Sequence, residues 1–589
     1  MTIKYSDQFM SWLKEFGYTH CFYVAGGNVM HLLEAASHIF VCVPFVHEAG
    51  AAIATDYFNE SSINRKKAFL LVTAGPGLTN AITGIAGAWT ESRELLVIGG
   101  QAKSTEIGRG KYRQIGFQEI DGVTLCKSIT KASLRIENKL SKNELFGIVE
   151  KTWSDRKGPV FLEFCLDVSL QNGYEFEELI VKKSTIQNFI ISNMDAKLIS
   201  DEIKKSERPV ILIGGGISRG TSLEGLIKHG LPIATTFNGI DRIGCEYEFY
   251  AGHPNWYGAR WANLIIQQSD LIIALGTRLG IMQVGYNWQS FAPQAKIVQV
   301  ELDDDELNKG FPKLFKGIRA DANSAISEVS KLLRDSRINI SEWQNFISMV
   351  RRDLSGPEEV NTAEKPYLEA MKFVSSIISL STSTDILIPC SSGAAGYEGA
   401  MRVILNKTGQ KVITSNALAS MGYGLPGAIG ASLANVKRRT ILFEGDGGFA
   451  QNSQELGTAK INNLNLKIFI MDNQGYQSIR NNQKTSFNGH YVGCDRETGL
   501  FLPDWIALSK SFDIETMELN SETFPGKQFD NLFCQEGPAV FVVRIDPNQS
   551  YWPRILSSRD ETGNLVSNPI HKMHPPLNAE HEKKYLPFL

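Results

Sequence analysis

The sequence predicts an α/β protein of three doubly wound parallel-sheet units. Three observations carry this. Short all-apolar runs of strand length recur, among them Val210-Ile211-Leu212-Ile213, Leu271 to Leu275, Ile441-Leu442-Phe443 and Leu466 to Met471. Such runs are buried on both faces, as parallel strands are. They alternate with stretches of helical spacing, the βαβα pattern of an open parallel sheet. Many of them end in glycine turns, where an α/β sheet meets its ligands. At 589 residues, the chain is too long for one core and predicts two to four domains. The expected division is 1–175, 190–335 and 365–547, with a tail over 548–589.

In order along the chain, Ser6 is placed to cap a first helix with apolar positions Phe9, Trp12, Leu13 and Phe16, stopped by Gly17. A strand over His20 to Val24 leads to the Gly26-Gly27 turn and a helix. A strand over Ile39 to Val43 precedes His47-Glu48-Ala49-Gly50, which opens another helix. Phe69 to Thr73 reads as a strand ending in Ala74-Gly75-Pro76-Gly77-Leu78-Thr79-Asn80, followed by a small-residue helix over Ala81 to Ala88. Strands over Leu95 to Ile98 and Gly158 to Phe164 complete the first unit. Residues 172–195 read as a linker. The second unit begins at Pro209, with further strands over Ile233 to Thr236 and Ile297 to Val300. Residues 330–365 read as a second linker. The third unit runs from Asp385 to Arg544, and the tail shows little periodicity, leaving a disordered segment or a covering arm open.

Composition excludes several classes. Hydrophobic content of 43% and charge of 21% are ordinary for a globular protein. A net charge of -3 leaves no nucleic-acid or anionic-membrane footprint. Eight scattered cysteines, none in a CxxC pair, predict buried thiols in a reducing cytoplasm rather than a zinc or disulfide framework. Lys4, Asp7, Lys14 and Glu15 interrupt any signal-peptide core, and no window is long and apolar enough to span a membrane.

The third unit carries the sharpest chemistry. Its strand Ile441-Leu442-Phe443 ends at Glu444-Gly445-Asp446-Gly447-Gly448. A helix over about Asn452 to Asn462 follows, and the strand Leu466 to Met471 ends at Asp472-Asn473-Gln474-Gly475. Two neighbouring strands would bring Asp446 and Asn473 to one sheet edge. A carboxylate, an amide oxygen and a backbone carbonyl suit Mg²⁺, which also takes phosphate oxygens. Taken singly, each turn is only a βα loop.

Together these turns resemble the metal–diphosphate motif of thiamine-diphosphate (ThDP) enzymes, a GDG followed after a helix and a strand by an Asn pair. Here the first Asn is Asp472. The resemblance implies that Asp446, Asn473 and the Gly475 carbonyl hold Mg²⁺ on the cofactor's diphosphate. It also places Gly393, Ala394, Gly445, Gly447, Gly448, Tyr476 and Gln477 at the cofactor. HEAGAAIATDYF, from His47, resembles the family's HEQGAAHAADGYA. In that family a Glu, here Glu48, bonds the aminopyrimidine N1′ so that the 4′-imino group can take the C2 proton, which is acid–base work tuned by an apolar pocket. TAGPGLTN, from Thr73, resembles TSGPGATN and implies Thr73, Gly75, Pro76, Gly77 and Asn80 beside the pyrimidine, with Gly26 and Gly27 nearby. Phe117-Gln118-Glu119-Ile120-Asp121 resembles the FQE-D segment of acetolactate synthases, where Phe and Gln line the 2-oxo acid pocket. Ser420-Met421-Gly422-Tyr423-Gly424-Leu425-Pro426 resembles T-M-G-x-G-L-P, whose Met, here Met421, wedges between the cofactor rings.

These segments run in the family's order over about residues 20–545 and identify the acetolactate synthase-like branch. The branch implies pyrimidine-binding, central and diphosphate-binding domains, and a homodimer or homotetramer with active sites at subunit interfaces. Departures point away from acetolactate synthase itself. Ala25 replaces a Pro, Leu166 a Lys, and Asn482 falls where a Trp selects the second 2-oxo acid. The segments Gly475 to Arg480, Val492 to Asp495 and Phe501 to Asp504 look like synthase-like proteins of surface-sugar biosynthesis, some of which add a two-carbon acyl unit to a keto-sugar nucleotide. The expected activity is a carboligase that decarboxylates a 2-oxo acid, pyruvate, and transfers the acyl carbanion to an acceptor carbonyl. Acetolactate synthase proper, a simple decarboxylase, and a C–C hydrolase remain alternatives. The central Gly214-Gly215-Gly216 turn and Gly276-Thr277-Arg278 leave FAD open, and with it a flavin or nicotinamide oxidoreductase. A silent scaffold leaves Glu48, Asp446 and Asn473 unexplained.

Overall fold

A computed structural model describes residues 3–175, 189–357, 362–559 and 561–589. The strands in chain order are β1 (Tyr18–Tyr23), β2 (Val41–Pro44), β3 (Lys67–Val72), β4 (Leu95–Gln101), β5 (Ala132–Ile136) and β6 (Pro159–Cys165). Then come β7 (Pro209–Ile213), β8 (Ile233–Thr235), β9 (Leu271–Leu275), β10 (Lys296–Glu301) and β11 (Lys316–Arg319). A third group is β12 (Ile386–Pro389), the short β13 (Lys411–Val412), β14 (Thr440–Gly445), β15 (Leu466–Asp472), β16 (Glu515–Leu519) and β17 (Ala539–Arg544), and four short strands follow in the tail.

The chain forms two compact units. The first comprises Met1–Ile186, Ile386–Gly393 and Ser415–Val543. It contains a six-stranded sheet in the order β2-β1-β3-β4-β6-β5, and in the later segments the run β12-β14-β15-β17-β16. Every strand pairing given for both is parallel. β3, β4, β6 and β15 are buried nearly end to end, as their unbroken apolar runs require. The order reverses between β1 and β3, which opens a crevice at their carboxyl ends.

Small residues bring two helices of this unit to backbone contact. A Cβ at Gly430, in the helix Gly424–Ala434, would lie 2.1 Å from the Ala54 carbonyl in the helix Glu48–Ser61. A third helix, Pro76–Thr90, joins them, since a Cβ at its Gly84 would lie 2.5 Å from the Ala52 Cβ. The Tyr423 hydroxyl donates to the Thr83 carbonyl at 2.8 Å, and the Asn435 amide to the Ser61 carbonyl at 3.1 Å.

The second unit comprises Gln187–Asp385, Ala394–Thr414 and Arg544–Leu589. Its parallel sheet runs β11-β10-β9-β7-β8. One expectation changes here, and one alternative left open is decided. Residues 330–365 are not a plain linker, because the helix Ser341–Leu354 buries Trp343, Phe346, Ile347 and Val350 on one stripe. That spacing was masked by the polar residues between them. The tail is an ordered arm: Ile555, Ile570, Met573 and Tyr585 enter the core of this unit. Its main-chain carbonyls are taken by side chains of one buried helix, Asn263 at Ile570 (3.1 Å) and Gln268 at Tyr585 (2.8 Å). Such side-chain-to-backbone pairing leaves no hydrophobic period to read.

Smaller corrections concern boundaries. The first helix is Tyr5–Glu15, with Lys4 rather than Ser6 at its N-cap, and Gly17 stops it at φ +96°. Ser6 lies inside the helix, buried. The expected helix over 452–462 is a 3₁₀ turn, Ser453–Glu455, followed by Leu456–Ile461. Of the expected first linker, residues 176–188 lie outside the described residues, and the helix Asn193–Lys205 begins within its last residues.

Candidate functional site

The first sheet gathers its sequence-predicted residues at the carboxyl ends of β1, β2, β3 and β4. Glu48 opens the helix Glu48–Ser61, whose N-cap is His47, with the ring Nδ1 accepting the Ala49 N–H at 3.2 Å. The Glu48 side chain is 8% exposed and accepts from the Asn80 amide at 3.0 Å. Gly26 has no room for a side chain, since a Cβ would fall 2.3 Å from that of Thr73. Gly27 is open, with nothing near an added Cβ. Gly75 adopts φ +61°, and a Cβ there would meet the Gln118 carbonyl at 2.7 Å. That contact explains the glycine twice over, by conformation and by space. Gly77 packs on the Thr73 methyl.

A cleft of about 500 Å³ lies here, lined by Gly75, Pro76, Thr79, Gln114, Phe117, Gln118 and Ile120. Phe117 stands 79% exposed and Gln118 takes φ +60°, a conformation unusual for a side-chain-bearing residue. Both lie in a turn closed by Glu119, whose N–H donates to the Gly116 carbonyl at 3.2 Å. Its buried carboxylate accepts the N–H groups of Gly108 (2.6 Å), Ile115 (2.7 Å) and Gly116 (3.1 Å). Burial opposes its ionisation, but these three donors outweigh burial and hold the carboxyl below its usual range. Downstream, Arg135 pairs with Asp121 at 3.1 Å and with buried Glu163, which also accepts the Gly122 N–H at 3.0 Å.

The second cluster lies at the adjacent carboxyl ends of β14 and β15. Asp446 begins the helical turn Asp446–Phe449 and is 1% exposed. Its carboxylate accepts the Gly447 N–H at 2.7 Å and the Gly475 N–H at 2.8 Å. Burial, and then the neighbouring Asp472, push its carboxyl well above the usual range. Two buried carboxylates without a cation repel, and a bound cation inverts that balance. Asn473 donates through Nδ2 to Gln477 Oε1 at 2.7 Å, leaving its Oδ1 buried without a partner. The Gly475 carbonyl accepts the Gln477 N–H at 3.0 Å and keeps a second lone pair. A hard divalent cation fits this set of oxygens, and the orphaned Asn473 Oδ1 is the atom it would satisfy. Gly475 (φ +132°) has no space for a Cβ, which would lie 2.2 Å from the Cys494 carbonyl. Tyr476 donates its N–H to that same carbonyl at 2.8 Å. Its ring covers Gly447, while Met421 is half-buried near the same glycine. Gly445 and Gly448 flank Asp446, and Gly393 follows β12 at φ +102°. Ala394 belongs to the second unit, at the start of the π-helical stretch Ala394–Gly399.

Sequence reasoning missed three supports. Glu119 reads as one more loop acid, although the loop closing on it is its signal. Glu455 accepts the N–H groups of Val46 (3.4 Å) and His47 (3.0 Å), just before Glu48, across a separation that local pattern cannot register. Arg480 donates to the Asn473 carbonyl at 2.8 Å and faces Asp495 at 3.6 Å.

In the second unit the glycine-rich turn after β7 closes on the turn after β9. The Gly214 N–H donates to Leu275 and the Gly216 N–H to Gly276, both at 2.9 Å. Two of the three amides of this glycine turn are therefore committed to the chain itself. Arg278 is half-buried beside them.

Paired oxygen ligands at neighbouring strand ends, in one unit with a buried glutamate at a second sheet's strand ends, describe an α/β enzyme of the kind that anchors a diphosphate cofactor through a metal. Family models agree: the thiamine pyrophosphate enzyme N-terminal TPP binding domain matches residues 3–125, the central domain 197–329 and the C-terminal TPP binding domain 394–543. The chain belongs to the thiamine pyrophosphate enzyme family. It is similar to the acetolactate synthase isozyme 2 large subunit of Escherichia coli (28% identity, covering 86% of this chain and 89% of that one). It is also similar to the acetolactate synthase large subunit of Lactococcus lactis (27%, covering 92% of each) and to chloroplastic acetolactate synthase of Arabidopsis thaliana (28%, covering 93% and 82%). It is thus a ThDP-dependent enzyme related to the acetolactate synthases.

Proposed function

We propose that the protein is a ThDP- and Mg²⁺-dependent carboligase that decarboxylates a 2-oxo acid, pyruvate, and transfers the two-carbon acyl unit to a carbonyl acceptor of the keto-sugar nucleotide class. The observation that carries the reading is a cleft lined by Phe117, Gln118 and Gly75, residues that the resemblance gives to the donor. Half-buried Leu166 and exposed Asn482 depart from the Lys and the Trp that the resemblance sets at those positions. Losing the Lys removes a charge-assisted contact to a second carboxylate, worth about 1.5–3 kcal/mol. Replacing Trp by Asn opens space and adds donors, which suits a hydroxyl-rich acceptor.

When bound, ThDP supplies the carbon nucleophile that attacks the 2-oxo acid carbonyl. In this reading Asp446, Asn473 and the Gly475 carbonyl hold the metal. Glu48, oriented by Asn80, would hold the proton at N1′, and Met421 would pack against the cofactor. Gln118 and Phe117 position the donor and exclude water. In this reading the family arrangement applies, in which one protomer supplies each half of a site, so a homodimer or homotetramer is the active form. The proposed domains are 1–175 for the pyrimidine, 190–335 as the central domain and 365–547 for the diphosphate. The reaction is redox-neutral, so the proposal stands whether or not the central domain binds FAD; a yellow purified protein would show that it does.

The test is mass spectrometry of products from pyruvate with and without nucleotide-linked keto-sugars. An adduct heavier than the acceptor by the elements of acetaldehyde, pyruvate less CO₂, is expected. Efficient acetolactate formation from pyruvate alone, unaffected by any acceptor, would refute the reading.

A further inference from the structure

The loop Gly108–Gly116 rises at the mouth of the donor cleft and is not used by the reaction as proposed. Its two ends are tied to one carboxylate, that of Glu119, through Gly108 at one end and Ile115 and Gly116 at the other. Its tip turns sharply, with Arg109 at φ +51°, Gly110 at φ +76° and the Lys111 N–H on the Gly108 carbonyl at 2.9 Å. The tip carries Arg109, Lys111, Tyr112, Arg113 and Gln114, three cations and no acid. Arg109 is engaged by Glu137 at 2.7 Å. Lys111 and Arg113 are exposed, and among the described residues neither side chain has a hydrogen bond or ion pair. Tyr112, between them, is 65% exposed. Gln114, next along, lines the cleft itself.

A loop pinned this firmly that spends its tip on two unpaired cations around an exposed aromatic ring is built to meet something anionic and planar. A plain aldehyde or free sugar would need neither feature. A diphosphate offers the cations their charge-assisted bonds, and a nucleobase offers the ring a stacking face. Resting on the carboligase reading above, we propose that the loop Gly108–Gly116 recognises the nucleoside diphosphate of the acceptor. Lys111 and Arg113 contact its phosphates and Tyr112 stacks on its base, delivering the acceptor carbonyl into the cleft past Gln114.

The test uses holoenzyme saturated with ThDP and Mg²⁺, so that the cofactor site takes no probe. UDP, CDP and inorganic pyrophosphate are titrated calorimetrically into the wild type, K111A/R113A and the charge-conserving K111R/R113K. Expected are saturable binding of a nucleoside diphosphate to the wild type, at least tenfold weaker binding to K111A/R113A, and near-wild-type affinity in K111R/R113K. The salt dependence should be shallower in the alanine variant, as fewer phosphate contacts remain. Equal affinity in the wild type and K111A/R113A overturns the proposal. So does binding of none of the probes to the wild type while a carbonyl acceptor still accelerates pyruvate turnover. A change in oligomeric mass of K111A/R113A by light scattering, with affinity intact, would assign the loop to a contact between copies instead. Failure of every acceptor to accelerate turnover is a separate result that strikes the carboligase reading itself.

Discussion

Replacing Glu119 by Gln keeps the shape of the side chain and removes the charge on which three backbone donors converge. The amide can present one oxygen, accepting from Ile115 and Gly116 as neutral bonds, while its NH₂ faces the Gly108 N–H. One bond to a charged acceptor, worth about 1.5–3 kcal/mol, is lost and two others weaken. A net cost of about 3 kcal/mol to the closed loop follows, roughly a 150-fold rise in its open population. Glu119 is only 8% exposed, so water offers little compensation. The loop carries tryptic sites at Arg109, Lys111 and Arg113. Cleavage that follows local opening should accelerate in Glu119→Gln by about that factor under conditions where reclosing is fast. The pyruvate KM should rise with it, because Phe117 and Gln118 sit on the same support. The pH dependence has a definite sign. The folded-state carboxyl is held below its unfolded value, so the closed loop is favoured above about pH 4.3 and loses that support as pH falls through the folded pKa. Amide protection of Gly108, Ile115 and Gly116 by hydrogen exchange should weaken on acidification in the wild type but not in the variant. Cleavage of Glu119→Gln at the wild-type rate would refute the reasoning.

Two further outcomes concern the cofactor. Glu48→Gln should bind ThDP with little loss while proton–deuterium exchange at the bound cofactor's C2 slows by about 10²–10⁴, the usual contribution of a positioned acid–base group; an unchanged exchange rate by NMR would remove the role. Asp446→Ala should abolish Mg²⁺-dependent ThDP binding measured by calorimetry while thermal unfolding stays cooperative, and retained affinity would count against the oxygen set at β14 and β15.

The parallel sheets and the two clusters were legible because each rests on local pattern. β9 is Leu271–Leu275 as its apolar run implies, and Asp446 and Asn473 lie at adjacent strand ends because β14 and β15 pair in parallel. The amide lock of Asn473 on Gln477 was not legible, since a polar residue four positions on has many reasons to exist. Nor was the service of Glu455 to the Glu48 loop, a contact made across more than 400 residues. The helix Ser341–Leu354 hid because charged residues dilute a four-residue stripe, and the tail hid because its order comes from Asn263 and Gln268 rather than from itself. For Glu455 and for the tail, the missing information was a partner distant in sequence.

Where Gly430 lies against Ala54, there is no side chain to trim or enlarge. The helix that starts with Glu48 and the helix that follows Met421 are mated main chain to main chain, so neither can drift by a methyl group without unseating the other. That leaves natural selection one kind of freedom. A change of substrate cannot come from shifting the glutamate or from tilting its helix. It has to be made in segments that share no such contact, by lengthening a surface loop, recharging its tip, or exchanging a residue such as Asn482 that faces solvent. A lineage of these enzymes would then diversify at its rims while its centre stays fixed.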